Sequence, residues 1–295
     1  MVRPISRGAD RFAGVAVRTS LNPAVVCDLE HDVLKILLTN DDGIHAPGIL
    51  ALYKALQGLG EITIVAPWTG QSATSHGVTF HEPLMRHDVT LEDGRTGYAI
   101  DGRPADCVKV ALRSLWSEIH GEGTMPDLTI SGMNGGSNVG INVIYSGTVG
   151  AAVESAFLGI PSIAVSLHLG DRTRICWDRA AEIARAGIDR IVEHPLDPHS
   201  VINVNVPRTE SVDAPMPPMK VVAMNTAEGL SHYDKRESPE GAVYYWAAGD
   251  GMKFAHTAPQ SDVESLFDRS MTITPLEFDL TDHARMQTWR ERLDP

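Results

Sequence analysis

Residues 36–48 read Ile-Leu-Leu-Thr-Asn-Asp-Asp-Gly-Ile-His-Ala-Pro-Gly, and this stretch decides the fold. A short apolar run ends at two adjacent carboxylates, Asp41 and Asp42, and Pro47 then begins a helical pattern. A buried strand that leads directly into a helix is the repeating unit of a parallel α/β sheet. Ligands bind such sheets at the carboxyl ends of the strands, so the acid pair marks a candidate site.

The residues alone leave two interpretations of this acid pair open. Adjacent carboxylates repel each other unless a cation lies between them, and hard oxygen ligands favour Mg²⁺ or Mn²⁺. Gly43 permits the turn that would let both side chains converge on one ion. The alternative is a pair of solvated loop acids, because loops are rich in Asp and Gly.

Further along the chain, short apolar runs alternate with helical patterns. The runs predict strands at 34–39, 62–66, 128–131, 162–166, 201–206 and 271–280. The helical patterns cover 47–59, 104–116, 148–158 and 177–193. We therefore predict a doubly wound, mostly parallel sheet in a three-layer α/β/α, Rossmann-like fold.

The last third of the chain departs from this alternation. Residues 221–224 and 243–247 are predicted to be strands around the polar turn at 238–241, and this antiparallel excursion is predicted to form a protruding hairpin. A short amphipathic helix is predicted to end the chain. Residues 33–295 thus form one α/β domain, preceded by an N-terminal extension at 1–32 that lacks the apolar core of a signal peptide. This extension is predicted to be disordered or a mis-assigned start, with an Arg-rich transit peptide as the alternative.

Composition and charge exclude several classes of protein. The 295 residues are 43% hydrophobic and 21% charged, which suits a large globular core. A formal net charge of −13 argues against binding to nucleic acid polymers, which requires clustered Lys and Arg. No run of roughly 18 apolar residues predicts a membrane span. The three cysteines lack metal-ligand spacing and fit a reducing compartment.

Three more polar loops follow predicted strands or open a helix, at 70–75, 131–138 and 145–149. In the glycine-rich loop at 131–138, backbone N–H groups favour an anion, Asn134 offers a carbonyl oxygen to a metal, and Asn138 offers a donor to phosphate. The third loop precedes a helix. Its Ser or Thr side chain would cap the free N–H groups of that helix, or the helix N-terminus would bind phosphate. Taken singly, each loop has a plain reading as a turn or a cap. Because parallel strands end at one edge, together they predict metal-assisted phosphoryl transfer to water.

The motifs at these positions resemble those of a known family. The segments are 40–48, 104–108, 131–138, 145–149, 203–207 and 273–276. In this order they are similar to the SurE (survival protein E) nucleotidases, and they span residues 34 to about 282. The resemblance implies a metal-dependent phosphomonoesterase that hydrolyses nucleoside 5′- and 3′-monophosphates, and some members also shorten polyphosphate. The alternative is a metal-dependent nucleotide-binding protein with little turnover.

The resemblance also implies a set of site residues. It places the ligands of one divalent metal per subunit, Mg²⁺ or Mn²⁺, at Asp41, Asp42, Ser72 and Asn134. It places phosphate-contacting positions near Asn138, Ser146, Gly147 and Thr148, and we also predict Asn40 and Gly43 to bind substrate or phosphate. We expect one aspartate to act as the base and His45 to give a proton to the leaving alkoxide, with a phospho-aspartate at Asp41 as the mechanistic alternative.

Members of the family are similar in being cytoplasmic homodimers or homotetramers that exchange a C-terminal hairpin. Residues 225–250 match that hairpin by position. The chain departs from the family's pattern at Trp68, at Arg103 and at residues 260–262. The acid pair is kept, so the resemblance implies the same chemistry, and we expect Trp68 and Arg103 to influence the choice of substrate.

Overall fold

The structure is a computed structural model that describes residues 33–229, 232–248 and 251–293. The predictions made for residues 1–32 lie outside this described part, and so does Cys27. No helix in the described ranges is long and apolar enough to cross a membrane.

Eleven strands lie in the described part of the chain. They are β1 (Lys35–Thr39), β2 (Glu61–Pro67), β3 (Arg86–Thr90), β4 (Thr96–Ile100), β5 (Leu128–Gly135), β6 (Ser162–Leu167), β7 (Val201–Val206), β8 (Met219–Val221), β9 (His232–Glu237), β10 (Val243–Ala248) and β11 (Met271–Leu276). Nine of them form one sheet in the order β3-β4-β2-β1-β5-β6-β7-β11-β8, and β9 pairs with β10 separately. The six strands from β4 to β7 in this order are parallel, whereas β3 and β11 run antiparallel to β4 and β7. The prediction of a doubly wound, mostly parallel sheet is confirmed.

The helices connect these strands and cover the sheet. They are α1 (Pro47–Ala55), α2 (Pro104–Val110), α3 (Trp116–His120), α4 (Asn142–Tyr145), α5 (Gly147–Phe157), α6 (Trp177–Val192), α7 (Asp262–Phe267) and α8 (His283–Leu293). A π-helical segment, Ala111–Leu115, joins α2 to α3. Pro47 and Pro104 stand at the first position of α1 and α2, where a missing N–H costs no helical hydrogen bond.

The central strand β1 shows why the sheet has helices on both faces. Ile36 and Leu38 pack in one apolar cluster with α1 and α6, whereas Leu37 packs in a second cluster with α2 and α5. Successive side chains of a strand point to opposite faces, so an uninterrupted apolar run requires cover on both sides. The three-layer α/β/α arrangement follows from this burial.

The predicted antiparallel excursion exists, but its pairing was wrong. β10 pairs with β9 across the turn at 238–241, and not with residues 221–224. Val221 belongs instead to β8 at the edge of the main sheet, next to β11. β9 reads His-Tyr-Asp-Lys-Arg-Glu and is exposed along most of its length, so it carries no alternating apolar pattern that would reveal a strand.

Other boundaries also differ from the sequence prediction. β5 does not end at Ser131 but continues to Gly135, with a register shift against β6 between Ser131 and Asn134. The expected amphipathic character of the last helix is wrong, because no residue of α8 is buried. β3, β4 and α7 were not predicted, since β3 is largely exposed and the others are short.

One close contact fixes α1 against β5. A Cβ atom built on Gly48 would lie 2.0 Å from the carbonyl oxygen of Met133 and 3.0 Å from the ring of Trp177. Any side chain at this position would overlap the strand backbone, so glycine is required there for packing. Met133 directly precedes Asn134, and the contact therefore also fixes a predicted metal ligand.

Candidate active site

A polar cavity of about 640 Å³ lies at the carboxyl ends of β1, β5 and β6. Six of the residues predicted for the site line it, and these are Asp41, Asp42, Ser72, Asn134, Asn138 and Ser146. The structure thus brings together side chains from four separate loops, as the common edge of parallel strands predicts. Asn40, Gly43, His45, Gly147 and Thr148 are not among the residues that line this cavity.

The turn after β1 presents the two acids to the cavity. The side chain of Asn40 donates a hydrogen bond to the carbonyl oxygen of Gly43 at 2.8 Å, and the Gly43 N–H donates back to Asn40 Oδ1 at 3.2 Å. Gly43 has a φ of +99°, a region that other residues rarely adopt. Asn40 is fully buried, so the structure places Asn40 and Gly43 as the frame of the turn.

Asp41 is buried and held by the start of α5. The hydroxyl of Thr148 donates to Asp41 Oδ1 at 2.6 Å. Burial, with a smaller contribution from the charge of Asp42, raises the pKa of Asp41 to about 6, even though the hydrogen bond from Thr148 lowers it. Ionised Asp41 is therefore costly in isolation, and a nearby cation would offset that cost.

Asp42 is oriented from the opposite side, by β5. Its Oδ2 accepts the N–H of Gly135 at 2.8 Å. The amide nitrogen of the neighbouring Asn134 donates to the carbonyl oxygen of Gly136 at 2.6 Å, so its amide oxygen is the atom that remains for a cation. The last residues of β5, after its register shift, thus place the N–H of Gly135 against Asp42 and the amide oxygen of Asn134 beside it.

The donor chemistry of these residues fits a hard divalent cation. Two carboxylates, the Ser72 hydroxyl and the Asn134 amide oxygen are all oxygen ligands of the kind that Mg²⁺ and Mn²⁺ prefer. Within the described ranges, no group of three or more His, Cys, Asp or Glu side chains could hold a metal ion. A cation at this edge would therefore take the hydroxyl and the amide oxygen as ligands in addition to the two carboxylates.

The start of α5 faces Asp41. Ser146 caps this helix by accepting the N–H of Val149 at 3.0 Å. A Cβ atom on Gly147 would lie 3.0 Å from Asp41 Oδ2, which places Gly147 directly against that carboxylate. The capping interpretation of Ser146 is therefore met, and Thr148 contacts the acid and not the cavity.

The Thr148 contact leads to a testable prediction. We expect Thr148→Val, which keeps the shape and removes the hydroxyl, to lower kcat/KM for a phosphate ester about 10- to 100-fold, because Asp41 loses the donor that orients it. Thr274→Val is the matched control, since the Thr274 hydroxyl is buried in β11 without a hydrogen-bond partner in the described part of the chain. Steady-state kinetics of both variants test this, and equal activities would contradict it.

The glycine-rich loop is less open to an anion than its sequence suggested. The N–H groups of Gly135, Gly136 and Asn138 donate to Asp42 Oδ2, to the Leu167 carbonyl and to Asn205 Oδ1. The side-chain nitrogen of Asn138 donates to the Ser166 hydroxyl at 2.8 Å. The nest expected from the glycines is therefore not built from these three N–H groups, and Asn138 is anchored to the sheet.

His45 and the two unusual positions lie apart from the cavity wall. The exposed ring of His45 packs edge-on against Trp68, with 5.8 Å between centroids, and Trp68 lies 4.7 Å from the ring of His87. Arg103 lies against the backbone of Gly77, where a Cβ atom would be 2.6 Å from its Nη1. Neither Trp68 nor Arg103 lines the cavity.

The cavity wall also includes residues to which the sequence analysis gave no role. Tyr145, His168 and Arg172 form part of its wall, and Arg172 is the one Lys or Arg among the lining residues that the structure describes. His168 and Arg172 follow β6 at the same edge as the acid pair, so the rule that identified Asp41 could have found them. Their segment carries no glycine-rich or paired-acid pattern, and it attracted no prediction for that reason.

Asp262, in the segment that departs from the family's pattern, has a clear structural role. It is fully buried, and its carboxylate accepts the N–H groups of Gly140 at 2.7 Å and Asn225 at 2.8 Å. Burial raises the pKa of Asp262, which the backbone N–H donors partly counteract. The residue therefore secures the chain that follows the glycine-rich loop.

The chain is similar to several known proteins. Residues 36–230 match the family described as "Survival protein SurE". A protein named 5′-nucleotidase SurE from Rhodopirellula baltica is 42% identical over 262 residues, which cover 88% of this chain and 100% of that protein. The protein of the same name from Carboxydothermus hydrogenoformans is 38% identical over 270 residues, with 88% and 98% covered. The crystal structure of the SurE protein from Aquifex aeolicus superimposes with a TM-score of 0.73 at 32% identity, and 88% of this chain and 99% of that one are covered.

Proposed function

The chain belongs to the SurE family, and from this premise we propose that it is a 5′-nucleotidase, a phosphomonoesterase that converts nucleoside monophosphates into nucleoside and phosphate. One observation carries the proposal. Asp41, Asp42, Ser72 and Asn134 line a single polar cavity in a chain whose relatives bear the name 5′-nucleotidase. Hydrolysis of 3′-monophosphates and of short polyphosphate belongs to the same proposal.

We assign the roles in the reaction as follows. A divalent cation, Mg²⁺ or Mn²⁺ with one ion per subunit, would be held by Asp41, Asp42, Ser72 and Asn134, and when bound it supplies Lewis-acid polarisation of the phosphate. Thr148 and the Gly135 N–H keep the two carboxylates oriented.

The remaining wall of the cavity suits the rest of a nucleotide. Arg172 offers a positive charge to the phosphate in a protein whose formal net charge is −13. Tyr145 is 58% exposed at the wall and offers an aromatic face to a base. We assign the base to Asp41 or Asp42. His45 stays a candidate for the proton donor only if substrate binding brings the leaving oxygen to its position beside Trp68.

We also propose the family's assembly and location for this chain, namely a cytoplasmic homodimer or homotetramer. The hairpin formed by β9 and β10 lies within residues 225–250. It exposes Tyr233, Tyr245 and Trp246 by 68%, 65% and 59%, and exposed large aromatic side chains are enriched at protein interfaces. Exchange of this hairpin between subunits would cover them.

The proposed function is tested by removing and restoring the metal. We expect the purified protein to release phosphate from AMP with Mn²⁺ or Mg²⁺, to lose that activity after treatment with EDTA, and to regain it on addition of either ion. A panel of 5′- and 3′-mononucleotides, sugar phosphates and short polyphosphates then ranks the substrates. Calorimetric binding of AMP with metal but without phosphate release would instead identify a nucleotide-binding protein.

A further inference from the structure

The loop that carries Ser72, residues 70–77, has a strained backbone. Ala73 and Ser75 have φ values of 56° and 53°, in the left-handed region that residues with a side chain rarely adopt. Such conformations persist only where the surroundings hold them in place. The position of Ser72 in the cavity therefore depends on contacts made by its neighbours in this loop.

Several contacts attach this loop to α5 and to α4, the short helix before it. The N–H of Ser75 donates to the carbonyl oxygen of Tyr145 at 3.0 Å, and its hydroxyl donates to that of Ile144 at 2.7 Å. A Cβ atom on Gly150 would lie 2.6 Å from the carbonyl oxygen of Ser75, so the loop and α5 meet backbone to backbone. The next residue, His76, reaches along the helix with its ring.

That ring ends on a buried carboxylate. His76 Nε2 lies 2.6 Å from Glu154 Oε2, and the side chain of Glu154 is only 5% exposed. A cation, Lys109 of α2, lies 3.4 Å from the other carboxylate oxygen. Burial alone would raise the pKa of Glu154, but the hydrogen bond from His76 and the charge of Lys109 bring it below its usual value. Glu154 is thus an ionised group that ties the loop, α5 and α2 together.

We propose that His76 and Glu154 are positioning residues, which hold Ser72 where it completes the ligand set of Asp41, Asp42 and Asn134. The inference rests on the proposed function, because it assigns Ser72 to the cation of that site. His76 is not among the residues that line the cavity, so it acts through the loop and not on the substrate. The same α5 bears Thr148 at its start, and one helix therefore orients both Asp41 and the loop of Ser72.

The two partners of Glu154, His76 and Lys109, provide a matched pair of variants. His76 and Lys109 are similarly exposed, at 40% and 43%, and only His76 belongs to the loop. We expect His76→Ala to weaken Mn²⁺ binding, measured by calorimetry without substrate, and to lower kcat/KM for AMP, each by about 10- to 100-fold. Lys109→Ala should leave both within about twofold, because the loop keeps its contact. Urea unfolding of each variant shows that it is folded at the assay temperature.

His76→Gln separates positioning from proton transfer. Glutamine keeps an N–H donor for Glu154 but cannot exchange a proton near neutral pH. We expect it to restore most of the Mn²⁺ affinity and activity lost in His76→Ala. If His76→Gln were as inactive as His76→Ala while both bound Mn²⁺ normally, His76 would be a proton-transfer group and the inference would be wrong.

The remaining outcomes are equally decisive. Equal losses in His76→Ala and Lys109→Ala would show a general effect of the buried carboxylate and overturn the inference, as would a His76→Ala variant with unchanged Mn²⁺ affinity. If the unaltered protein binds Mn²⁺ but hydrolyses no phosphate ester, the proposed function fails, and the calorimetric comparison still decides the inference. Should His76→Ala not fold, His76→Asn is the second variant: its shorter side chain falls short of Glu154, so we expect weaker Mn²⁺ binding, and an unchanged affinity would contradict the inference.

Discussion

Asp42→Asn is expected to lower kcat/KM for AMP by about three orders of magnitude, since a bound metal contributes several kcal/mol and each 1.36 kcal/mol is tenfold in rate. The substitution keeps the size of the side chain and one oxygen, which can still accept the N–H of Gly135. It removes the charge that, with Asp41, would attract the cation into the cavity. Phosphate release at saturating Mn²⁺, together with the Mn²⁺ Kd, measures the effect.

Asp213→Asn is the control for this experiment. Asp213 is an exposed turn residue that does not line the cavity, so it makes the same change of charge without touching the site. We expect its activity to equal that of the unaltered protein. Normal turnover by Asp42→Asn with added Mn²⁺ would show that Asp42 is not a metal ligand.

Gly48→Ala is expected to lower the free energy of unfolding by about 3 kcal/mol, because overpacking of this kind forces a backbone shift. The new Cβ atom would lie 2.0 Å from the Met133 carbonyl oxygen, well inside van der Waals contact. α1 and β5 must then separate, and Asn134 moves with β5. Urea denaturation measures the loss of stability, and a weaker affinity for Mn²⁺ should accompany it.

Gly229→Ala is a suitable comparison for Gly48→Ala. A Cβ atom on Gly229 would meet its nearest neighbours at 3.9 Å and 4.0 Å, an ordinary contact distance. We expect a change of within about 0.5 kcal/mol for that variant. Similar stabilities for the two alanine variants would mean that α1 can move away from β5 without cost.

The sequence predicts those parts of the fold whose signal is buried apolar surface. Ile36, Leu37 and Leu38 are all fully buried, and a run of this kind has few other solutions than a central parallel strand. The edge strand β3 and the hairpin strand β9 are mostly exposed, so hydrophobic pattern could not locate them. The pairing of β10 with β9 depended on a turn and not on burial, and there the prediction was wrong.

The sequence likewise predicts which residues meet at the site, but not the contacts that hold them there. The edge argument brings Asp41, Asp42, Ser72 and Asn134 to one cavity, because every parallel strand ends on the same side. The sequence gives no indication that Thr148 would donate to Asp41, or that the glycine-rich N–H groups would be used by Asp42, Leu167 and Asn205. Such contacts depend on the register shift in β5 and on the distance between loops, and neither is encoded in a local motif.

The order of the strands has a consequence for synthesis on the ribosome. The predicted metal and phosphate residues all lie between positions 40 and 148, but β11, which covers the outer edge of β7, comes only at residues 271–276. While residues 207–270 are being added, a nascent chain can pair β1, β2, β5, β6 and β7 and still present β7 as an open edge, a surface on which unfinished chains associate. β11, the last strand to be synthesised, thus closes this open edge only when the chain is nearly complete, far in sequence from the acids that would carry out its chemistry.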